Sequence, residues 1–111
     1  MIRWHFHARY IMDAIEKIDA FLEGNWDRFE TSEELQLATY YLLETLGEAT
    51  TRLPDGFREG HAEVPWEELK ELRNALAHHY LGIDNGQVRR AILTVLPALK
   101  RAVSRLLESI E

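Results

Sequence analysis

The sequence predicts an all-α protein, an up-and-down bundle of four main helices with room for a short fifth. Three observations carry that reading. Apolar residues recur at helical spacing in four separate stretches, no stretch alternates in the manner of a strand, and Gly-Asn, Pro-Asp-Gly and Gly-Ile-Asp breaks separate the stretches. With 111 residues, 46% of them apolar, the chain can build one hydrophobic core but not two, so residues 1–111 are read as a single domain.

The first helix runs from Arg3 to about Glu23, where Ile11, Ile15, Ile18 and Leu22 mark one face and Gly24-Asn25 ends it. A short polar link follows. Thr31-Ser32-Glu33-Glu34 has the form of a capping box, a hydroxyl three residues ahead of a carboxylate, and opens the second helix. Its stripe of Leu35, Ala38, Leu42, Leu46, Ala49 and Leu53 stops at Pro54-Asp55-Gly56. Gly47 lies within that span at a cost of about 1 kcal/mol relative to alanine, which points to another backbone packing closely there. Residues 54–64 read as a loop with one turn around Phe57. Pro65 suits the first position of a third helix with Trp66, Leu69, Leu72, Leu76 and Tyr80 on its apolar side and Gly82 as its stop. A fourth helix starts near Gln87 and buries Val88, Ile92, Val95, Leu99, Val103, Leu106 and Ile110. Pro97 inside it predicts a kink or break near Val95 or Leu96.

Several classes of function are disfavoured. No apolar run approaches the roughly 20 residues that span a bilayer, and Met1-Ile2-Arg3-Trp4-His5 does not begin a signal peptide, so a cytoplasmic protein without membrane contact is expected. The absence of cysteine excludes disulfides and thiolate metal sites. His5 and His7 point to different sides of a helix, and His78 and His79 are adjacent, so neither pair chelates readily; no metal or cofactor is implied. Phosphate-loop, dinucleotide, zinc-protease and nucleophile-elbow motifs are missing. Glu33-Glu34 and Glu67-Glu68 sit at helix starts, where the macrodipole accounts for them. The net charge of −6 means that any contact with nucleic acid must be local; it also suits a basic protein partner.

The chemistry concentrates in Arg73-Asn74-Ala75-Leu76-Ala77-His78-His79-Tyr80. At about 100° per residue with Arg73 at zero, Leu69, Leu72, Leu76 and Tyr80 fall between about 260° and 340° and define the core side. Arg73 then sits at the core edge, and Asn74 and His78 form an i,i+4 pair at about 100° and 140°. His78 is therefore no core histidine. A regular helix cannot easily aim Arg73 and His78 at one phosphate. Either the helix unwinds near His78, or the site is assembled across a twofold axis from two subunits. The bland alternative has Arg73 lying along the core rim, paired with a glutamate, and His78 merely solvated.

The segment from Val64 to Asp84, which carries the Arg-x4-His-x-Tyr motif, resembles the signature region of the HepT-like branch of the HEPN superfamily, as do Gly47-Glu48-Ala49 and Leu96-Pro97-Ala98-Leu99. The resemblance implies a helical, usually dimeric HEPN fold acting as an RNA-cleaving toxin beside a minimal nucleotidyltransferase (MNT) antitoxin. It implies that Arg73 and His78 carry metal-independent cleavage with Asn74 as a polar helper, and that Tyr80 accepts the adenylyl group by which the antitoxin silences the toxin. His79 departs from the pattern, since the residue between the histidine and the tyrosine is commonly acidic. The expectation is a homodimeric endoribonuclease with a composite Arg/His site. The alternative is a non-catalytic HEPN module that binds and guides a nucleotidyltransferase.

Overall fold

The computed structural model describes residues 3–78 and 83–110, and every regular element among them is helical. Helix α1, Trp4–Leu22, buries Ala8, Ile11, Ala14, Ile15, Ile18 and Leu22, the face the periodicity marks. It ends where Glu23 turns left-handed at φ 48° and its N–H returns to the Asp19 carbonyl at 2.8 Å. The left-handed turn continues through Gly24 at φ 73°, a conformation that glycine adopts without a steric cost.

The expected polar link is instead a short helix, α2, Trp26–Thr31. Asn25 caps it, its side-chain oxygen accepting the Arg28 N–H at 3.0 Å, and Phe29 is driven wholly into the core with Trp26 edge-on at 5.6 Å. This moves the next cap by one residue. Thr31 is still helical, and its hydroxyl donates to the Asp27 carbonyl at 3.1 Å, so the first extended residue is Ser32. Ser32 Oγ accepts the Leu35 N–H at 3.1 Å and starts α3, Glu33–Thr50, where the capping box would have used Thr31. In α3 Thr39 and Leu43 are fully buried and Ala38 only half-buried, because this helix packs against neighbours on two sides.

Residues 51–65 form a chain of turns, and α4, Trp66–His78, follows with the Pro65 carbonyl taking the Leu69 N–H. Leu69, Leu72 and Leu76 are buried as expected; Tyr80 and the stop at Gly82 lie outside the described residues. The last rod is continuous. Asp84 caps α5, Asn85–Arg90, a π-helical turn spans Ala91–Val95, and α6, Leu96–Glu108, completes it. Pro97 is the physical reason for the wide turn: its ring crowds the preceding turn and it has no N–H to give. Leu96 N–H reaches back five residues to the Ala91 carbonyl, so the predicted disturbance takes the form of a π turn and the rod is not broken. Ile110, expected inside, is exposed beyond the end of α6.

The helices run up and down. Tyr10, early in α1, meets Thr45, late in α3, at 2.5 Å between hydroxyls. Glu68, early in α4, meets Arg90 at 2.7 Å, and Tyr40 of α3 hydrogen-bonds Asn85 at the start of α5. Burial pushes the Tyr40 phenol above its ordinary pKa, partly offset by that hydrogen bond. Among the described residues no helix is long and apolar enough to cross a membrane.

Candidate active site

Helices α3 and α4 lie antiparallel, and a glycine of α3 faces Arg73 of α4. A Cβ added to Gly47 would meet Arg73 Cβ and Cγ at 3.3 Å and Cδ at 3.4 Å. The glycine therefore makes room for the aliphatic stem of Arg73, and what packs there is a side chain where a second backbone was expected. With its stem laid across α3, the guanidinium is held at the rim of the bundle, its side chain 23% exposed.

On one side of that guanidinium is an open groove of about 370 Å³ lined by Glu44, Thr45 and Glu48 from α3 and Arg73, Asn74, Ala77 and His78 from α4. The helix is regular through His78, so it does not unwind up to that residue. Arg73 and His78 nevertheless share the groove. Ala77 lies between them on the wheel, at about 40°, and its small side chain leaves a trough that the two larger ones flank. Arg73 Nη2 donates to Asn74 Oδ1 at 3.5 Å, and Nη1 lies 3.8 Å from Glu48 Oε2. His78 is exposed. Both features of the bland alternative are thus present in the single chain, an arginine paired with a glutamate and a solvated histidine, within a groove that also gathers all three motif residues described.

On the other side of Arg73 is a smaller pocket of about 100 Å³ lined by Gly47, Thr50, Thr51, Arg58, Trp66, Leu69, Lys70 and Arg73. Lys70 and Arg73 stand three apart on α4 and so share a face. Arg58 comes from the loop, which Trp66 pins: its indole N–H donates to the carbonyls of His61 at 3.0 Å and Arg58 at 3.2 Å. The Arg58 guanidinium lies 5.7 Å from the centre of the Trp66 ring, and Phe57 packs against His61 at 4.6 Å. His61 also bonds Glu63 at 2.8 Å, a contact that holds the Glu63 carboxyl below its ordinary pKa with help from a backbone hydrogen bond.

Sequence reasoning singled out Arg73, Asn74 and His78, which the fold brings together, and Tyr80, which lies outside the described residues. It assigned no site role to Glu44, Thr45, Arg58 or Lys70. The Lys70–Arg73 spacing was readable on a wheel; Arg58 was not, because only the folded loop places it. Among the described residues no group of histidines and carboxylates is arranged to hold a metal ion.

A protein of Thermococcus cleftensis named "Probable ribonuclease HepT" is 33% identical over 104 residues, covering 90% of this chain and 94% of its own. "Putative RNase TTE0752" of Caldanaerobacter subterraneus subsp. tengcongensis is 39% identical over 103 residues, 92% of each chain. The "Gamma-glutamylcyclotransferase and putative RNase MJ0434" of Methanocaldococcus jannaschii is 32% identical over 95% of this chain, which spans only 48% of that longer protein. No solved structure gives a significant match. The family model described as Ribonuclease HepT-like matches residues 11–106, and the chain belongs to that family.

Proposed function

We propose that this chain is a metal-independent endoribonuclease toxin of a HEPN/MNT toxin–antitoxin pair, acting in the cytoplasm as a homodimer with a composite Arg/His site. The observation that carries the reading is the groove in which Arg73, Asn74 and His78 meet, in a chain whose relatives bear ribonuclease names. Cleavage through the substrate's own 2′-hydroxyl needs three services: a base for that proton, an acid for the departing 5′-oxygen, and donors for the dianionic phosphorane. The attacking 2′-oxygen forms a bond to phosphorus as the bond to the 5′-oxygen breaks, leaving a 2′,3′-cyclic phosphate and a 5′-hydroxyl. His78 is suited to proton transfer and the Arg73 fork to the phosphorane. Asn74 steadies Arg73 through its side-chain oxygen. Because RNA supplies the nucleophile, the scheme calls for no metal.

One histidine cannot hold and release both protons at once, which favours a site with a histidine from each of two copies. Two further features support a dimer. Exposed Phe6 and Tyr10 of α1 and Leu37 and Tyr41 of α3 are paired one turn apart, and Tyr10 is bonded to Thr45 of the groove wall. Glu44 and Glu48 also leave the single-chain groove short of positive charge for an RNA phosphate, a deficit a second Arg73 would offset. Tyr80, by family resemblance, is the residue at which an MNT-type nucleotidyltransferase would add AMP and silence the toxin. Incubating RNA with the wild type, Arg73→Ala and His78→Ala decides the catalytic reading, with a loss of at least about 100-fold expected for each variant. Equal cleavage by all three would sink it.

The Arg73–Glu48 pair favours a second reading, a non-catalytic HEPN module that binds and guides a nucleotidyltransferase. Co-purification with such a partner, together with no RNA cleavage and no toxicity when expressed alone, would select it.

A further inference from the structure

The protein carries 19 acidic residues against 13 basic ones, yet Arg58, Lys70 and Arg73 converge on one small pocket that no carboxylate lines. Among the described residues neither Arg58 nor Lys70 has a carboxylate within 4 Å, and Arg73 meets Glu48 on its groove side only, at 3.8 Å. The loop also spends several contacts on fixing Arg58: the two indole hydrogen bonds, the stacking of its guanidinium on Trp66, and the aromatic packing of Phe57.

The other polar groups of the pocket are already engaged. Thr50 Oγ1 donates to the Gly47 carbonyl at 2.6 Å and Thr51 Oγ1 to the Glu48 carbonyl at 2.7 Å. Their hydroxyl protons are committed, so the donors that remain are the Lys70 ammonium, the Arg58 guanidinium and the Arg73 N–H groups not turned toward Asn74 and Glu48. Such a set fits an anion with several acceptor oxygens. A volume of about 100 Å³ is ample for a phosphate group, since a water's share of liquid volume is about 30 Å³.

Arg73 lines this pocket and the groove alike, so an anion held here lies one side chain away from a phosphate held beside His78. We propose that the Arg58–Lys70–Arg73 pocket is a phosphate subsite that holds a backbone phosphate of bound RNA neighbouring the scissile one. The inference rests on the ribonuclease reading and deepens it. Binding at the subsite directs one strand across α4 between the loop and the groove. It gives an acidic protein a local footing for RNA. Positioning by phosphate contacts carries no base sequence, so the subsite sets register and minimum substrate length.

The test uses the whole chain and a fluorescent single-stranded DNA oligonucleotide, which lacks the 2′-hydroxyl and stays intact, followed by anisotropy over a salt series. For a single strand the slope of log affinity against log salt changes by about 0.7 per phosphate contact. Lys70→Ala and Arg58→Ala should each weaken binding about tenfold. The double variant should lose that slope increment. Arg58→Lys should recover part of the binding, and Arg101→Ala, an exposed cation on α6 that lines neither the pocket nor the groove, should match wild type. In cleavage assays the Lys70 and Arg58 variants should raise KM and leave kcat little changed; thermal melting checks that each variant is folded. An unchanged slope and KM overturns the subsite, as does an equal loss in Arg101→Ala, which would mean that overall charge alone is read. Inorganic phosphate and AMP are the competing arms. If they saturate the pocket in wild type while oligonucleotide length has no effect on affinity, the pocket takes free phosphate compounds and the RNA-backbone assignment falls. Absence of RNA cleavage by a wild type that still shows the predicted slope changes counts against the nuclease reading alone.

Discussion

The two sides of Arg73 differ sharply for regions only one side chain apart. On the groove side the guanidinium faces Glu48 and Asn74, with Glu44 close by; on the pocket side it joins Lys70 and Arg58 with no carboxylate in the lining. The groove has the histidine, with one cation against two carboxylates in its lining. The pocket has charge and no group that titrates near neutral pH. On the proposed reading binding and chemistry are separated in space, and Gly47 makes the room that lets one arginine line both cavities.

The largest expected effect separates Arg73 from His78. Arg73→Ala should weaken oligonucleotide binding and abolish cleavage together, while His78→Ala should lower cleavage by at least about 100-fold with affinity nearly unchanged. If both variants lose affinity equally, the division between the two sides fails. Gly47→Ala tests the shared stem. The helix gains about 1 kcal/mol of intrinsic propensity, and the new methyl displaces Arg73 from a 3.3 Å contact. Thermal stability should therefore change little while cleavage falls severalfold. A variant as active as wild type would show that the position of Arg73 does not depend on the glycine.

A smaller effect is expected from Glu48→Gln. The pair it breaks is long, 3.8 Å, and more than half exposed on the glutamate side, so releasing Arg73 should tighten oligonucleotide binding only about threefold. Weaker binding would mean that Glu48 holds Arg73 in its working position. The smallest effect concerns the loop that carries Arg58. Because His61 holds the Glu63 carboxyl below its ordinary value, the folded chain keeps that group ionised to lower pH than the unfolded chain does. The contact thus contributes stability above the ordinary carboxylate value near 4.5, and that contribution is lost as pH falls through the lowered one. In His61→Ala, NMR titration should show the Glu63 midpoint moving up.

Much of the fold was legible because long helices repeat their core face. Ile11, Ile15, Ile18 and Leu22 on α1 and Leu69, Leu72 and Leu76 on α4 are spaced as the periodicity required, and all are buried. Helix α2 was missed because six residues are too few to show a period. Its Phe29 is an anchor whose depth depends on what surrounds it, and once α2 extends through Thr31 the cap of α3 must pass to Ser32. Pro97 announced a disturbance by its chemistry, but whether a rod breaks or widens depends on packing along its whole length. In the site, the wheel placed Arg73 at the core edge and Asn74 and His78 beside each other. It did not register that Ala77, small and between them, opens a trough that Arg73 and His78 share.

By itself the sequence determined the long helices, their inward faces and the candidate trio Arg73, Asn74 and His78, because these depend on local chemistry and a fixed helical repeat. Only the tertiary structure decided what surrounds Arg73: the glycine beneath its stem, the glutamates of α3 on one side and the loop arginine on the other. Those neighbours come from residues 15 to 29 positions earlier in the chain. Their meeting is set by how α3 and α4 pack and by how Trp66 ties down the loop, and no local spacing encodes it.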